Sequence, residues 1–317
     1  MSHIKLRCPK CGISRPADMS AEPCLGCGSP LDVAYTAHDG DGLTMPSPVH
    51  GPTLDVTLGE GDTPSIQLRT LYARLPKLYA KLEFLNPTGS FKDRGTATML
   101  SVAAEHGVTE LVEDSSGNAG ASVSAYAARA GIKSHIFVPA GAPEAKLRQI
   151  EAYGTEAQPI EGPREAVTEA AIAYAKQHGL VYASHMLSPY FAEGTKAFAY
   201  EVAQQFSGSM PGQVVFPVGN GSLLIGAYNG FRELKASGQI ENIPRLHAVQ
   251  SRNVMPLVAA FNGEEWEPES ATKTVAGGIS IAAPSRQWQI LDILRSTGGS
   301  AVAVEESRIL RVQKSLA

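Results

Sequence analysis

The sequence predicts an α/β protein built on parallel sheets, with a small metal ribbon appended at its N-terminus. Three observations predict it. From about residue 78 onward, short apolar runs alternate with helix-length stretches, and parallel strands need helix-sized crossovers of that kind. The four cysteines all fall within the first 27 residues. A chain of 317 residues, 43% hydrophobic and 18% charged, has core enough for one large α/β domain or two medium ones.

In chain order, the ribbon comes first. Cys8 and Cys11 form one pair and Cys24 and Cys27 another, each with two residues between, and twelve residues separate the pairs. Four thiolates at this spacing suit tetrahedral Zn²⁺ and leave no position open for a substrate, so the expected metal is structural. Gly12 and Gly28 follow the second cysteine of each pair, where a positive φ lets the backbone turn its amides toward the sulfurs. Disulfides are the competing reading, which a reducing compartment disfavours. Residues 1–37 are therefore read as a zinc ribbon. Residues 38–60, rich in Gly, Pro, Asp and Thr, form a linker or wrapping arm. Residues 61–317 are the α/β region. Its expected strands are 78–85, 110–114, 134–139, 181–184, 214–218, 246–250 and 301–304. The helices between them are expected at 91–106, 118–130, 144–153, 165–177, 194–205, 222–235 and 288–296.

Charge narrows the partners. Lys and Arg number 27 against 31 acidic residues, a net charge of −4. There is no basic surplus to neutralise a phosphate backbone, so nucleic acid is not an expected partner, the ribbon notwithstanding. No apolar run approaches the roughly 20 residues of a membrane span, and residues 1–10 lack the apolar stretch of a signal peptide. A cytoplasmic protein acting on a small molecule is expected.

In parallel α/β folds ligands gather where strands run out into helix N-termini. Three such turns stand out. The first, Asn86-Pro87-Thr88-Gly89-Ser90-Phe91-Lys92-Asp93-Arg94-Gly95, places Lys92 at the opening of a helix. A nucleophilic amine needs a depressed pKa, and a helix start with Arg94 nearby favours one. Asp93 and Arg94 are read as braces for that loop. The second, Ser115-Ser116-Gly117-Asn118-Ala119-Gly120, is a backbone-rich cradle for a carboxylate. The third, Val218-Gly219-Asn220-Gly221-Ser222-Leu223-Leu224, lets several amides converge on a phosphate. It lacks the third glycine and the acidic residue of a dinucleotide fingerprint. A reactive lysine, a carboxylate cradle and a phosphate cradle together suit an aldehyde cofactor with a phosphate tail that processes amino acids.

In order and spacing these loops resemble those of the fold-type II pyridoxal-phosphate (PLP) enzymes, a group that includes threonine synthase, threonine dehydratase, cysteine synthase and the tryptophan synthase β chain. The resemblance runs over residues 58–316. The segment Thr57-Leu58-Gly59-Glu60-Gly61-Asp62-Thr63-Pro64 looks like the leader of threonine synthases, in which a cysteine ribbon is also frequent. The resemblance implies two doubly wound sheet domains of the tryptophan synthase β type, a smaller one at about 95–200 and a larger one formed by the remainder, and a homodimer. It implies that Lys92 carries pyridoxal 5′-phosphate and moves protons at Cα, and that Asn118 bonds the ring hydroxyl oxygen. It also implies that Ser115, Ser116, Gly117, Asn118 and Ala119 face the substrate, and that Gly219, Asn220, Gly221, Ser222 and Leu223 hold the phosphate. The implied activity is β/γ elimination or replacement, as in O-phosphohomoserine to threonine. The alternatives are a threonine/serine dehydratase-type ammonia-lyase and a non-catalytic PLP-binding protein.

Three departures bear on the substrate. Phe191 stands where threonine synthases supply an arginine for the substrate phosphate, and a neutral ring cannot balance a dianion. Gly277 stands where relatives often carry an acidic residue. The implied Ser or Thr facing the pyridine nitrogen has no counterpart before Ala317, so either the sequence is truncated or that nitrogen meets water or another partner. His185, at a strand end, is the histidine placed to approach the cofactor, although a lone histidine is more often structural.

Overall fold

The structure is a computed structural model that describes residues 4–36, 44–49, 56–68, 77–142, 144–207 and 209–316. The chain divides into two compact units: one of Met1–Asp41, Met45–Gly61 and Glu83–Thr195, the other of Gly42–Thr44, Asp62–Leu82 and Lys196–Ala317. Much of the expected 38–60 arm lies outside the described residues.

The first unit opens with an antiparallel sheet of β1 (Ile4–Arg7), β2 (Ser14–Pro16) and β3 (Asp32–Tyr35) in the order β2-β1-β3. Ile4 and Leu6 alternate inward with Lys5 and Arg7 outward, the period-2 pattern of a strand with one buried face. In the second unit β4 (Ser65–Gln67) and β5 (Tyr79–Lys81) pair antiparallel. The strand expected at 78–85 ends early there. Asn86 Nδ2 donates to the Glu83 carbonyl at 2.8 Å, and residues Glu83–Leu85 turn as a 3-10 helix instead.

The first unit then winds α1 (Lys92–Glu105), β6 (Glu110–Glu113), α2 (Asn118–Ala130), β7 (Lys133–Pro139), α3 (Glu144–Ala152), β8 (Ala157–Ile160), α4 (Arg164–His178), β9 (Val181–Tyr182) and α5 (Pro189–Gly194). Its sheet is wholly parallel in the order β8-β7-β6-β9. Both faces are covered, and the strands read as continuous apolar runs for that reason. Leu111, Ile136 and Val138 enter the core shared with α1 and α2, while Val112 and Phe137 pack on Val167, Ala171 and Ala175 of α4. Sequence reading missed β8, whose Ala-Gln-Pro-Ile is half-buried on a sheet edge and carries little apolar signal.

The second unit continues with α6 (Ala197–Gln205), β10 (Gln213–Pro217), α7 (Ser222–Ala236), β11 (Arg245–Ser251), α8 (Pro256–Asn262), α9 (Gln287–Ser296), β12 (Ala301–Val304) and α10 (Glu306–Leu316). The helix expected at 194–205 is α6, which starts at Ala197: Thr195 bonds the Ala192 carbonyl through its hydroxyl at 2.8 Å and closes the preceding α5 first. β10, β11 and β12 form a parallel sheet in that order, with Val214 opposite Leu246 and Val249 opposite Val302. The fold is the two-sheet α/β class read from the sequence.

Candidate active site

Lys92 is the first residue of α1, and its neighbours hold the turn rigid. Asp93 is fully buried. Its carboxylate accepts from the Thr88 amide at 2.7 Å, the Thr88 hydroxyl at 2.5 Å and the Ser122 hydroxyl of α2 at 2.6 Å. Arg94 forms a two-pronged pair with Glu83, at 2.8 and 2.9 Å, the geometry in which a guanidinium binds a carboxylate best. The lysine itself is only partly covered. Desolvation of its ammonium nevertheless pulls the pKa from 10.5 down to about 7, and the anionic field of Glu113 opposes the shift. The ammonium stands 3.8 Å from the centroid of the Phe91 ring. An amine in this state is about half free base at pH 7, and the free base is the form that adds to a carbonyl and accepts protons.

The second loop opens α2 in the same unit. No side chain caps that helix at Gly117, which leaves first-turn amides free to hold an anion. The Ser115 hydroxyl oxygen accepts from the Gly117 amide at 3.2 Å. A Cβ on Gly120 would lie 1.8 Å from the Ser115 carbonyl oxygen, so only glycine permits this close return of the loop. Ser115, Ser116 and Gly117 are half-buried, Asn118 is exposed and Ala119 is buried. Lys146 of α3, which sequence reading passed over, brings its Nζ to 3.7 Å from where a Gly117 Cβ would sit. Its only sequence signal is a lysine early in a helix that follows a polar turn.

The third loop opens α7 in the second unit. Gly221 takes φ +78° as the residue before the helix, again with no side-chain cap. A Cβ there would meet Ile290 at 2.4 Å, and one on Gly219 would meet Ile279 and Ile281 at 3.1 and 3.0 Å. Gly219, Gly221 and Ser222 are buried, and Asn220 and Leu223 are half-buried. Asn220 Oδ1 is sealed from solvent without a partner, an acceptor waiting for a donor. Behind the loop, buried Gln250 donates to the Val218 carbonyl at 3.1 Å and accepts from the Leu257 amide at 2.9 Å. The 3-10 segment Gly277–Ile279 reaches this loop through Ile279.

Phe191 is fully buried. It lies against Gly95, where an added Cβ would be 2.7 Å from its ring, and its edge faces His185 at 5.9 Å. A groove of about 680 Å³ in the first unit is lined by Lys133, Ala157 and Tyr174 among others. It lies at the amino ends of β7 and β8, whereas the Ser115 loop follows the carboxyl end of β6, so it takes no part in the site.

At the N-terminus Cys8 and Cys27 Sγ are 3.4 Å apart, Cys11 and Cys24 Sγ 3.5 Å, and all four lie within 4.8 Å of one another as free thiols. A zinc–sulfur distance of about 2.3 Å in a tetrahedron separates sulfurs by about 3.8 Å, so the set fits the ion. Gly12 and Gly28 adopt φ +77° and +70°, turning each knuckle.

Uncapped helix starts after the parallel strands β6 and β10, together with a desolvated lysine at the head of α1, suit an enzyme of the aldehyde-cofactor class. The family model described as "Pyridoxal-phosphate dependent enzyme" matches residues 56–317, and the chain belongs to that family. Threonine synthase of Methanocaldococcus jannaschii is 32% identical over 98% of this chain and 82% of its own. That of Methanosarcina acetivorans is 32% identical over 100% and 82%. Among solved structures, a threonine deaminase of "T.th." superposes with a TM-score of 0.68 at 25% identity, covering 80% of each chain. Maize serine racemase shares the fold, with a TM-score of 0.69 at 22% identity over 80% of this chain and 74% of its own. The protein is a PLP-dependent lyase, threonine synthase-like. Among the described residues, no helix is long and apolar enough to cross a membrane.

Proposed function

We propose that the protein carries out β/γ elimination or replacement on a free amino acid, of the type that converts O-phosphohomoserine to threonine, with Lys92 as its amine base. The observation that carries this is the Lys92 amine, brought to about 7 by desolvation at the head of α1. When bound, PLP supplies the electron sink that makes a Cα proton labile. The chain's own residues do the rest. Lys92 holds the cofactor and moves the Cα proton. Ser115, Ser116, Gly117 and Ala119 offer hydroxyls and α2 amides to the substrate carboxylate, and Lys146 adds a cation beside them. Asn118 bonds the cofactor ring. Gly219, Asn220, Gly221, Ser222 and Leu223 hold its phosphate on α7 amides, where Asn220 Oδ1 lacks a partner. Borohydride reduction of the holoenzyme followed by peptide mass mapping tests the assignment. Label on the Lys92 peptide is expected, and label elsewhere with turnover surviving in Lys92→Ala refutes it.

Dehydration of serine or threonine is the second reading. It is favoured by Phe191, which leaves no guanidinium at the position where the family resemblance places one for a phosphate. A substrate panel of O-phosphohomoserine, threonine and serine separates the two. The Cys8, Cys11, Cys24, Cys27 cluster is proposed to hold one structural Zn²⁺, supported by its sulfur spacing. Kinship with fold-type II enzymes supports a cytoplasmic homodimer, testable by light scattering.

A further inference from the structure

A buried pair beside the lysine loop is not used by the chemistry above. Glu113, the last residue of β6, is fully buried, and its Oε1 lies 2.7 Å from Nδ1 of His185, itself 9% exposed. The other oxygen, Oε2, is sealed from solvent with no partner among the described residues. A pair that served packing alone would not leave that acceptor bare, since an unmade buried bond costs about 1–3 kcal/mol. The ladder sets the pair's place. Val112 is level with Tyr182, and the Ala183 amide bonds the Val112 carbonyl at 2.7 Å. β6 ends at Glu113 and runs on to the Ser115 loop, and its parallel neighbour β9 ends at Tyr182 and runs on to His185, so both segments leave the same end of adjacent strands. Lys92 feels the charge of Glu113, which places the dyad in the field of the amine. Nδ1 is committed to the carboxylate, and no described residue bonds Nε2, which is not among the sealed atoms. A histidine oriented through one nitrogen by a buried carboxylate, with the other left open, has the arrangement of a general acid–base.

We propose that His185 is the second proton-transfer group of this site, held by Glu113 and acting on the oxygen bonded to the substrate's Cβ. The inference rests on the reading that Lys92 and the Ser115–Ala119 loop bind an amino acid. In the addition direction neutral His185 takes a proton from water at Nε2. The water oxygen uses the freed pair to bond Cβ, the Cα–Cβ double-bond pair moves to Cα, and Cα takes a proton from the Lys92 ammonium. His185 is left as imidazolium beside Glu113, and Lys92 as neutral amine. In dehydration each transfer reverses and water leaves. The substrate class is an amino acid with a Cβ hydroxyl, formed or lost. The ionisable groups that act on the Glu113–His185 pair are Asp114 of β6, Arg164 of α4, which pairs with Asp114 at 2.7 Å and acts on Glu113, and Lys92 of α1, which is coupled to Glu113. The facing α5 presents neutral Phe191.

The test splits proton transfer at Cα from the step at Cβ. The holoenzyme is given L-threonine and L-serine in D₂O, with Cα–H exchange followed by proton NMR and keto-acid formation followed separately. His185→Gln is expected to keep Cα exchange within about threefold and to slow the Cβ step by about 10²–10⁴-fold. Glu113→Gln should slow the same step less and shift the pH profile of that step alone. In the cofactor-free protein, nitrogen-15 NMR should show His185 as a single Nδ1–H tautomer that Glu113→Gln scrambles, a readout independent of turnover. An unchanged Cβ step, or equal losses in both steps with cofactor retained, would overturn the proposal. Absence of Cα exchange in the unaltered enzyme would overturn the Lys92 assignment instead, and this inference with it.

Discussion

The amine at Lys92 should titrate near neutrality in the cofactor-free protein, and its reactivity can be followed directly. With a pKa of about 7 in place of 10.5, about three-quarters of the amines are free base at pH 7.5, against about one in a thousand for an ordinary lysine. Reductive labelling with a small aldehyde should therefore favour Lys92 several hundredfold before allowance for its partial cover, with half-maximal rate near pH 7. Quantitative peptide mapping across pH 5.5–10 reads both numbers. Glu113→Gln removes the anion that favours the ammonium and should move the half-point lower. The sign also reaches stability. Between the folded and unfolded pKa values the folded chain binds fewer protons, so the cofactor-free protein gains stability as pH rises through that window. The slope is bounded by about 1.4 kcal/mol per pH unit and is smaller here because the side chain is partly exposed. A half-point near 10, or one that rises in Glu113→Gln, would refute the idea that burial sets this amine.

Other outcomes follow from packing and metal binding. Gly120→Ala drives a Cβ to 1.8 Å from a backbone oxygen and should cost about 3 kcal/mol in urea unfolding. Gly141→Ala, with nothing within 4 Å of its Cβ, should stay within about 0.5 kcal/mol. Phe191→Arg buries a guanidinium where an aromatic ring is fully enclosed; it should destabilise by about 3–5 kcal/mol and gain no affinity for O-phosphohomoserine, and a stable variant that binds the phosphate ester would contradict this. Native mass spectrometry should find one zinc per chain, absent in Cys24→Ser, with chelation lowering the melting temperature while leaving the borohydride label on Lys92 in place.

The parallel α/β class, the helix starts at Lys92, Asn118 and Ser222 and the gathering of the four cysteines were legible because each has a local cause. Crossover helices follow parallel strands, anion cradles need small residues at helix starts, and paired thiolates need tight turns. α2 fell at 118–130 as read, since an N-terminal glycine turn and Gly131 at φ +69° punctuate both ends. Lys146 and Gln250 were not legible. Lys146 reaches Gly117 only because α3 packs on α2, and Gln250 is buried by strands distant in sequence. The weight of His185 was likewise hidden. Its partner Glu113 is 72 residues away, and only the β6–β9 pairing makes them neighbours.

The same pairing gathers buried polar groups: among the described residues Glu113 Oε2 has no partner, and Asp114 and Tyr182 interact with each other at the carboxyl ends of β6 and β9. Asp114 is held below the usual range by Arg164 and Thr168, against its own desolvation, whereas burial pushes Glu113 up despite His185. The two neighbouring carboxylates are thus driven apart, a pattern that marks acid–base equipment more than structural ion pairs. Linkage fixes the cost. Burial raises Glu113, so it contributes stability that is fully present below its unfolded pKa and lost as pH rises through the folded one. Glu113→Gln should flatten that dependence, read by urea unfolding across pH, while impairing the Cβ step, and only the second loss requires a functional role.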